Sequence, residues 1–118
     1  MNDLAFVAHL QAAAAEAAGL KSVEELLRKG KGGRELYICR YRDAAVYLAR
    51  KHTNLATPRL GQLFGARHHT TILACCRREE LRLSRKLRWR RQNMTLAEFH
   101  QMLLDSARVK GGEPCVST

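Results

Sequence analysis

Two helical patterns joined by a three-residue turn constrain the fold of this 118-residue chain most strongly. Thr57 has the side chain of an N-cap, and Pro58 follows at the first helical position, where proline is favoured. The short helix that they open is expected to end at the turn Gly65–Arg67, because glycine suits the left-handed conformation of helix stops. A second helix is predicted to begin at His68 or His69. This order of elements predicts a helix-turn-helix.

The remaining segments also follow the spacing of amphipathic helices, and no stretch alternates apolar and polar residues as strands do. Capping boxes begin at Ser22 and at Thr95, and Gly19 stops the first helix. The helices predicted outside the turn unit are Asp3–Ala18, a short one after Ser22, Ile38–His52 and Thr95–Val109, and the second helix of the unit should reach about Lys86. We therefore predict an all-α fold, a small helical bundle forming one domain over residues 1–110, with a flexible tail over 111–118.

Positive charge is concentrated in two clusters rather than spread over the surface. The formal net charge is +10. Residues 67–91 carry nine basic residues against two glutamates, and residues 28–42 carry six against one. Concentrated positive charge is typical of proteins that bind a polyanion, whereas a basic face kept for solubility is expected to be less dense. Arginine dominates the first of these clusters, and arginine makes bidentate contacts to phosphate and to guanine.

The predicted helix-turn-helix indicates where bases would be contacted. In such units the second helix lies in the major groove, and its N-terminal residues face the base edges. Threonine offers a methyl group and a hydroxyl, and histidine can donate or accept a hydrogen bond. The candidate base-contacting residues are His68, His69, Thr70 and Thr71. Arg77 and Arg78 come one to two turns later, where the helix meets the sugar-phosphate backbone.

Catalytic, metal and membrane functions find little support in the sequence. Adjacent histidines point in different directions on a helix, and HExxH, CxxC and GxxxxGK[ST] motifs are missing. The four cysteines are expected to be reduced, with Cys39, Cys75 and Cys76 partly buried and Cys115 in the tail. The chain has neither a long apolar run nor a basic leader, which predicts a cytoplasmic, non-enzymatic protein without a metal or another cofactor.

The stretch YRDAAVYLARKHTNLATPRLGQLFGARHHTTILACCRR, Tyr41–Arg78, resembles the C-terminal DNA-binding domain (domain IV) of the bacterial replication initiator DnaA. The family pattern contains TN-x-S-x-P-x-IG-x-x-FG-x-RDHTTV-x-x-AC-x-K. The matching residues here are Thr53-Asn54, Pro58, Leu60-Gly61, Phe64-Gly65, Arg67, His69-Thr70-Thr71-Ile72 and Cys76-Arg77-Arg78. The resemblance is strong over about 40 residues and weaker from about Ala13 to Val109. It implies an all-helical fold, also similar to Trp repressor, and binding to double-stranded DNA.

The resemblance also implies roles for individual residues. The residues matching His69, Thr70 and Thr71 enter the major groove, and the one matching Pro58 places the unit on the backbone. Arg34 is the candidate for the minor groove. Phosphate contacts are expected from Arg40, Arg42, Arg50, Arg77 and Arg78, and Arg67 belongs to the same predicted DNA-binding set.

Two departures from the family pattern matter for function. The family carries aspartate where this chain has His68, so the preferred DNA site is expected to differ at one base. The nucleotide-binding module of the initiator has no counterpart here, so the chain is not expected to bind ATP. We predict a nucleoid-associated regulator of transcription or replication, one that competes or cooperates with the initiator. The alternative is a protein-interaction adaptor or replication antagonist whose main partner is a protein, bound through the helix Thr95–Val109.

Overall fold

The computed structural model describes residues 2–29, 33–85, 88–89 and 94–110 of the chain. Within these ranges the chain forms six helices and a two-stranded antiparallel ladder. The elements are α1 (Asp3–Ala17), α2 (Val23–Leu27), α3 (Gly33–His52), α4 (Thr57–Leu63), α5 (His69–Ser84), β1 (Arg88–Trp89), β2 (Met94–Thr95) and α6 (Leu96–Lys110). The predicted all-α fold class is confirmed.

The first three helices differ from their predicted bounds only at the ends. Gly19 follows α1 with φ of +75°, the conformation expected of a glycine helix stop. Helix α3 begins at Gly33, well before the predicted start at Ile38, because the intervening residues include good helix formers. The capping box predicted at Ser22 is not formed: Ser22 is the N-cap of α2 but makes no side-chain cap bond, and Glu25 Oε1 accepts from the backbone N–H of Lys21 at 3.0 Å.

Helix α6 begins with the predicted capping box. Glu98 Oε1 accepts from the Thr95 backbone N–H at 2.9 Å, and Thr95 Oγ1 accepts from the Glu98 N–H at 3.2 Å. The apolar side of this helix, including Phe99 and Leu103, is buried against α1 and α3. The apolar stripe of α6 therefore closes the core. It is not exposed as the partner-binding surface that the alternative function, a protein-interaction adaptor, would need.

A short β ladder precedes α6 and was not predicted. Arg88 pairs with Thr95 and Trp89 with Met94. Two-residue strands are too short for the alternation that marks a strand in a sequence. Lys86, the predicted end of the second helix of the turn unit, and the predicted tail 111–118 lie outside the described residues. The single domain over residues 1–110 stays a prediction.

Helix α3 lies at the centre of the bundle and supports the turn unit. It packs against α1 on one side and against α5 on another. Tyr41 of α3 meets the ring of Phe99 edge-on, with 5.7 Å between ring centroids. Leu60 and Phe64 of the turn unit and Ile72 of α5 are fully buried. The buried side of the α4–α5 unit is thus fixed to the core, and its other side faces solvent.

Candidate nucleic-acid interface

Helices α4 and α5 form the helix-turn-helix, and the turn between them has a fixed backbone. Pro58 lies in the first turn of α4, which begins one residue earlier than predicted, with Ala56 at the N-cap. Gly65 and Ala66 both have positive φ, +86° and +56°, which reverses the chain. The backbone N–H of Arg67 then donates to the carbonyl oxygen of Gly61 at 2.8 Å. This bond ties the end of the turn to the middle of α4.

Two basic side chains, Arg67 of the turn and Lys29 after α2, donate hydrogen bonds that hold the turn against the rest of the bundle. The guanidinium of Arg67 donates through Nη1 to the carbonyl oxygens of Leu27, at 2.9 Å, and of Phe64. Lys29 Nζ donates to the carbonyl oxygen of Ala66 at 3.2 Å. Arg67 was predicted as a DNA-binding residue. In the structure its guanidinium instead joins α2 to the turn.

The first turn of α5 presents the four predicted base-contacting residues to solvent. His68 is the N-cap, and His69, Thr70 and Thr71 form the first helical positions. All four are exposed, whereas Ile72, the next residue, is fully buried. The rings of His68 and His69 lie 4.3 Å apart between centroids. The structure therefore brings the predicted base-contacting residues together at one accessible end of the helix.

The basic pair further along α5 divides into one outward and one anchored side chain. Arg77 is exposed and follows Thr70 by seven positions, so the two lie on one face of the helix. Arg78 instead binds Asp43 of α3 through two hydrogen bonds, Nε to Oδ2 at 3.0 Å and Nη2 to Oδ1 at 2.9 Å. Its side chain is still 44 % exposed. The Asp43 carboxylate raises the pKa of Arg78 above the ordinary arginine value. Arg77 is therefore the better candidate for a phosphate contact.

A buried polar network that the sequence analysis missed continues from Asp43. Both Asp43 and Glu79 are 0 % exposed, and Arg82 joins them through Nη1, at 2.9 Å from Asp43 Oδ2 and from Glu79 Oε1. Glu79 Oε2 lies 2.6 Å from His100 Nε2 on α6. Glu79 occupies the position seven residues after Ile72, which continues the apolar side of α5. A carboxylate on the apolar side of a helix predicts a buried ion pair, because a buried charge needs a partner, and the sequence could have shown this.

Four further arginines of the predicted set lie on α3. Arg42 is only 5 % exposed, and its guanidinium donates to the Leu26 carbonyl oxygen at 2.9 Å and to Glu35 Oε1 at 2.5 Å. This placement does not support the phosphate contact predicted for Arg42, because the guanidinium is enclosed and already bonded. Arg40 is half-buried, and Arg50 is exposed beside Cys76, at a surface recess. Arg34 lies in the first turn of α3, and its side chain is outside the described part.

The cysteines of the core are poor nucleophiles. Cys39, Cys75 and Cys76 are free in the described part of the chain; the last two are buried and Cys39 is partly buried. Cys115 lies outside the described residues. Burial, together with the nearby Asp43 carboxylate, raises the pKa of Cys75 to about 12. The thiol is therefore protonated at neutral pH. In the part of the chain that the structure describes, no group of three or more metal-ligating side chains is assembled, and no helix is long and apolar enough to cross a membrane.

Comparison with known proteins assigns the chain to a family. A family model described as "Bacterial dnaA protein helix-turn-helix" matches residues 8–78, which include α2, α3, α4 and the exposed start of α5. The chain belongs to this DnaA helix-turn-helix family. The family is a DNA-binding unit and not a catalytic domain, and the predicted resemblance is confirmed.

The DnaA proteins that resemble this chain are much longer than it is. The chromosomal replication initiator protein DnaA of a Picosynechococcus strain is 48% identical over 63 residues, which cover 53% of this chain and 13% of that protein. The DnaA protein of a Caulobacter strain is 39% identical over 71 residues, which cover 60% of this chain and 14% of that protein. The match to the DnaA family model ends at Arg78, so α6 and the His100 end of the buried network lie beyond it.

Proposed function

We propose that this chain binds double-stranded DNA sequence-specifically and places the start of α5 in the major groove. The observation that carries the proposal is the exposed group His69, Thr70 and Thr71 on the first turn of α5, within a DnaA-type helix-turn-helix. Side chains at this end of the second helix meet base edges in such units. The positive end of the helix dipole at the same turn favours a nearby phosphate.

The proposed phosphate contacts come from exposed and half-buried residues of α3, α4 and α5. Arg77 continues the exposed face of α5, Arg50 is exposed on α3, and Pro58 sits at the start of α4, where it positions the unit. Arg40 and the outer edge of Arg78 complete the basic surface, and we assign the minor groove to Arg34. Arg42 and Arg67 act inside the fold, because their guanidinium groups are bonded to backbone carbonyl oxygens.

In the cell, we propose that the chain regulates transcription or replication by occupying DNA sites, without ATPase activity of its own. Several initiator proteins are similar in sequence to more than half of this chain, so competition or cooperation at initiator sites is the expected relation. The test is selection of bound duplexes from a random library at near-physiological salt. An enriched motif similar to initiator sites supports this relation, and a different motif points to separate targets. Binding without any enriched motif, fading as salt rises, would contradict sequence-specific recognition.

Replacing His69 with alanine is expected to reduce affinity for the selected site by about 1–3 kcal/mol while leaving affinity for random duplex unchanged. The reason is that an exposed side chain at this position contributes to base contacts and little to folding, where surface substitutions cost within about 0.5 kcal/mol. Fluorescence anisotropy on both duplexes measures the difference. His9→Ala, on α1, is the control. Equal losses on specific and random DNA would remove His69 from the base-contacting group.

Replacing Arg77 with alanine is expected to weaken binding to all duplexes similarly and to reduce the slope of log K against log salt by about 0.9. One phosphate contact accounts for a change of that size in B-DNA. Arg108→Ala is the matched control, because it removes the same charge from an exposed position on α6. Titrations at several salt concentrations give both slopes. An unchanged slope for Arg77→Ala, or the same change for both variants, would contradict a phosphate contact by Arg77.

A further inference from the structure

The hydrogen bonds of the His68 ring determine which of its two nitrogens is protonated. Its Nδ1 lies 3.3 Å from the backbone nitrogen of Thr70 and 2.9 Å from Thr70 Oγ1. A backbone N–H only donates, so Nδ1 is the acceptor, and this bond makes His68 the side-chain cap of α5. A neutral imidazole that accepts at Nδ1 carries its proton at Nε2. The cap therefore selects one tautomer.

The selected tautomer determines what His68 offers to a ligand. Nδ1 and Nε2 are separated by Cε1, and their lone-pair and N–H directions diverge widely in the ring plane, so the Nε2–H bond is directed away from the helix end that Nδ1 caps. His68 is exposed, and it stands beside His69 in the group proposed to enter the major groove. The ring nitrogen that the cap leaves available to a ligand is thus an N–H donor. An aspartate here would cap α5 through one oxygen in the same way but would present only acceptors.

We propose that His68 determines specificity by donating a hydrogen bond from Nε2–H to an acceptor on a base edge, with guanine preferred and cytosine rejected on the contacted strand. In the major groove guanine presents two acceptors, N7 and O6, whereas the polar group of cytosine is the N4 amino donor. The inference rests on the proposed DNA binding by α5. It adds that, in one base contact, the protein donates the hydrogen bond and the base accepts it.

The test compares duplex selection by the natural chain with that by His68→Asp and His68→Asn. Both substitutions keep a side-chain oxygen for the cap, and only asparagine keeps an N–H donor. We expect the natural chain to enrich guanine at one position, and His68→Asn to enrich a purine there, guanine or adenine, because its amide donor can meet N7 of either base. His68→Asp is expected to enrich a base with an amino group there, cytosine or adenine, with a preference changed roughly tenfold or more. Thermal unfolding of the three proteins checks that the cap of α5 is retained.

Base analogues test the same contact without changing the protein. At the selected guanine, 7-deazaguanine removes the N7 acceptor and 2-aminopurine removes O6. At least one analogue should weaken binding of the natural chain about fivefold or more, and neither should further weaken His68→Ala. If a motif is enriched but its bases are the same for the natural chain and His68→Asp, and both analogues are tolerated, the inference fails while the proposed function stands. If no motif is enriched, both fail.

Discussion

Replacing Asp43 with alanine is expected to lower the free energy of unfolding by about 3 kcal/mol. The carboxylate is 0 % exposed and holds Arg78 and Arg82 of α5 on α3 through hydrogen bonds of 2.9–3.0 Å. Removing one partner of a buried pair leaves the other charge uncompensated, which costs about 3–5 kcal/mol. We expect the lower end of that range, because Arg78 still reaches solvent and Arg82 keeps Glu79.

Urea unfolding followed by circular dichroism measures this loss. Asp105→Ala is the matched control, since it removes the same group from an exposed position on α6, where Asp105 Oδ1 accepts from Gln101 Nε2 at 2.8 Å. The control is expected to cost less than about 1 kcal/mol. Similar losses for both variants would show that the Asp43 network contributes nothing particular to the packing of α5 on α3.

The same network predicts how the Asp43 effect depends on pH. Burial acts to raise the pKa of Asp43, but the hydrogen bonds from Arg78, Cys75 and Arg82 outweigh it, and the pKa is lowered in the folded state. The contribution of Asp43 is therefore fully present above the unfolded aspartate pKa of about 3.9. It is lost as pH falls from there through the folded pKa. The stability gap between the natural chain and Asp43→Ala should be constant near neutral pH and shrink below about pH 4.

Features set by neighbouring residues were predictable from the sequence. The helix stop at Gly65 and the capping box of Thr95 and Glu98 depend on residues a few positions apart, and both occur in the structure. The exposed start of α5 was placed to within one residue for the same reason. Such local patterns, together with the family motif, were sufficient for the fold class and for the position of the helix-turn-helix.

Roles of individual arginines were less predictable, because the sequence does not show which carboxylates and carbonyl groups lie nearby in space. Arg42, Arg67 and Arg77 all belong to the basic clusters of the sequence. Arg42 and Arg67, however, donate to the carbonyl oxygens of Leu26 and Leu27, which belong to α2. The sequence analysis also did not consider that Asp43 and Glu79 could bind Arg78 and Arg82. A basic cluster interrupted by buried carboxylates divides into arginines that stabilise the fold and arginines that remain free to meet a polyanion.

Replacing Gly61 with alanine is expected to damage the turn and DNA binding together. A Cβ built at Gly61 lies 2.1 Å from the carbonyl oxygen of Arg67, a backbone atom that cannot move without the turn. Alanine in place of glycine within a helix would gain about 1 kcal/mol from helix propensity. Overpacking costs about 1–3 kcal/mol and occasionally more, and a contact this short against backbone belongs at the upper end. The cost of the clash therefore exceeds the gain in helix propensity, and the free energy of unfolding is expected to fall by about 2 kcal/mol.

Gly19→Ala separates the effect on the turn from a general loss of stability. Gly19 has φ of +75° and nothing within 4 Å of a built Cβ, so alanine there costs only the left-handed strain of about 1–2 kcal/mol. Both variants are thus expected to unfold at similarly reduced urea concentrations. At a temperature where both are folded, only Gly61→Ala should lose affinity for the selected duplex, about tenfold or more, because displacing Arg67 shifts the start of α5 relative to the backbone contacts. Equal DNA affinity for the two variants would mean that the Gly61–Arg67 contact does not position the base-contacting residues.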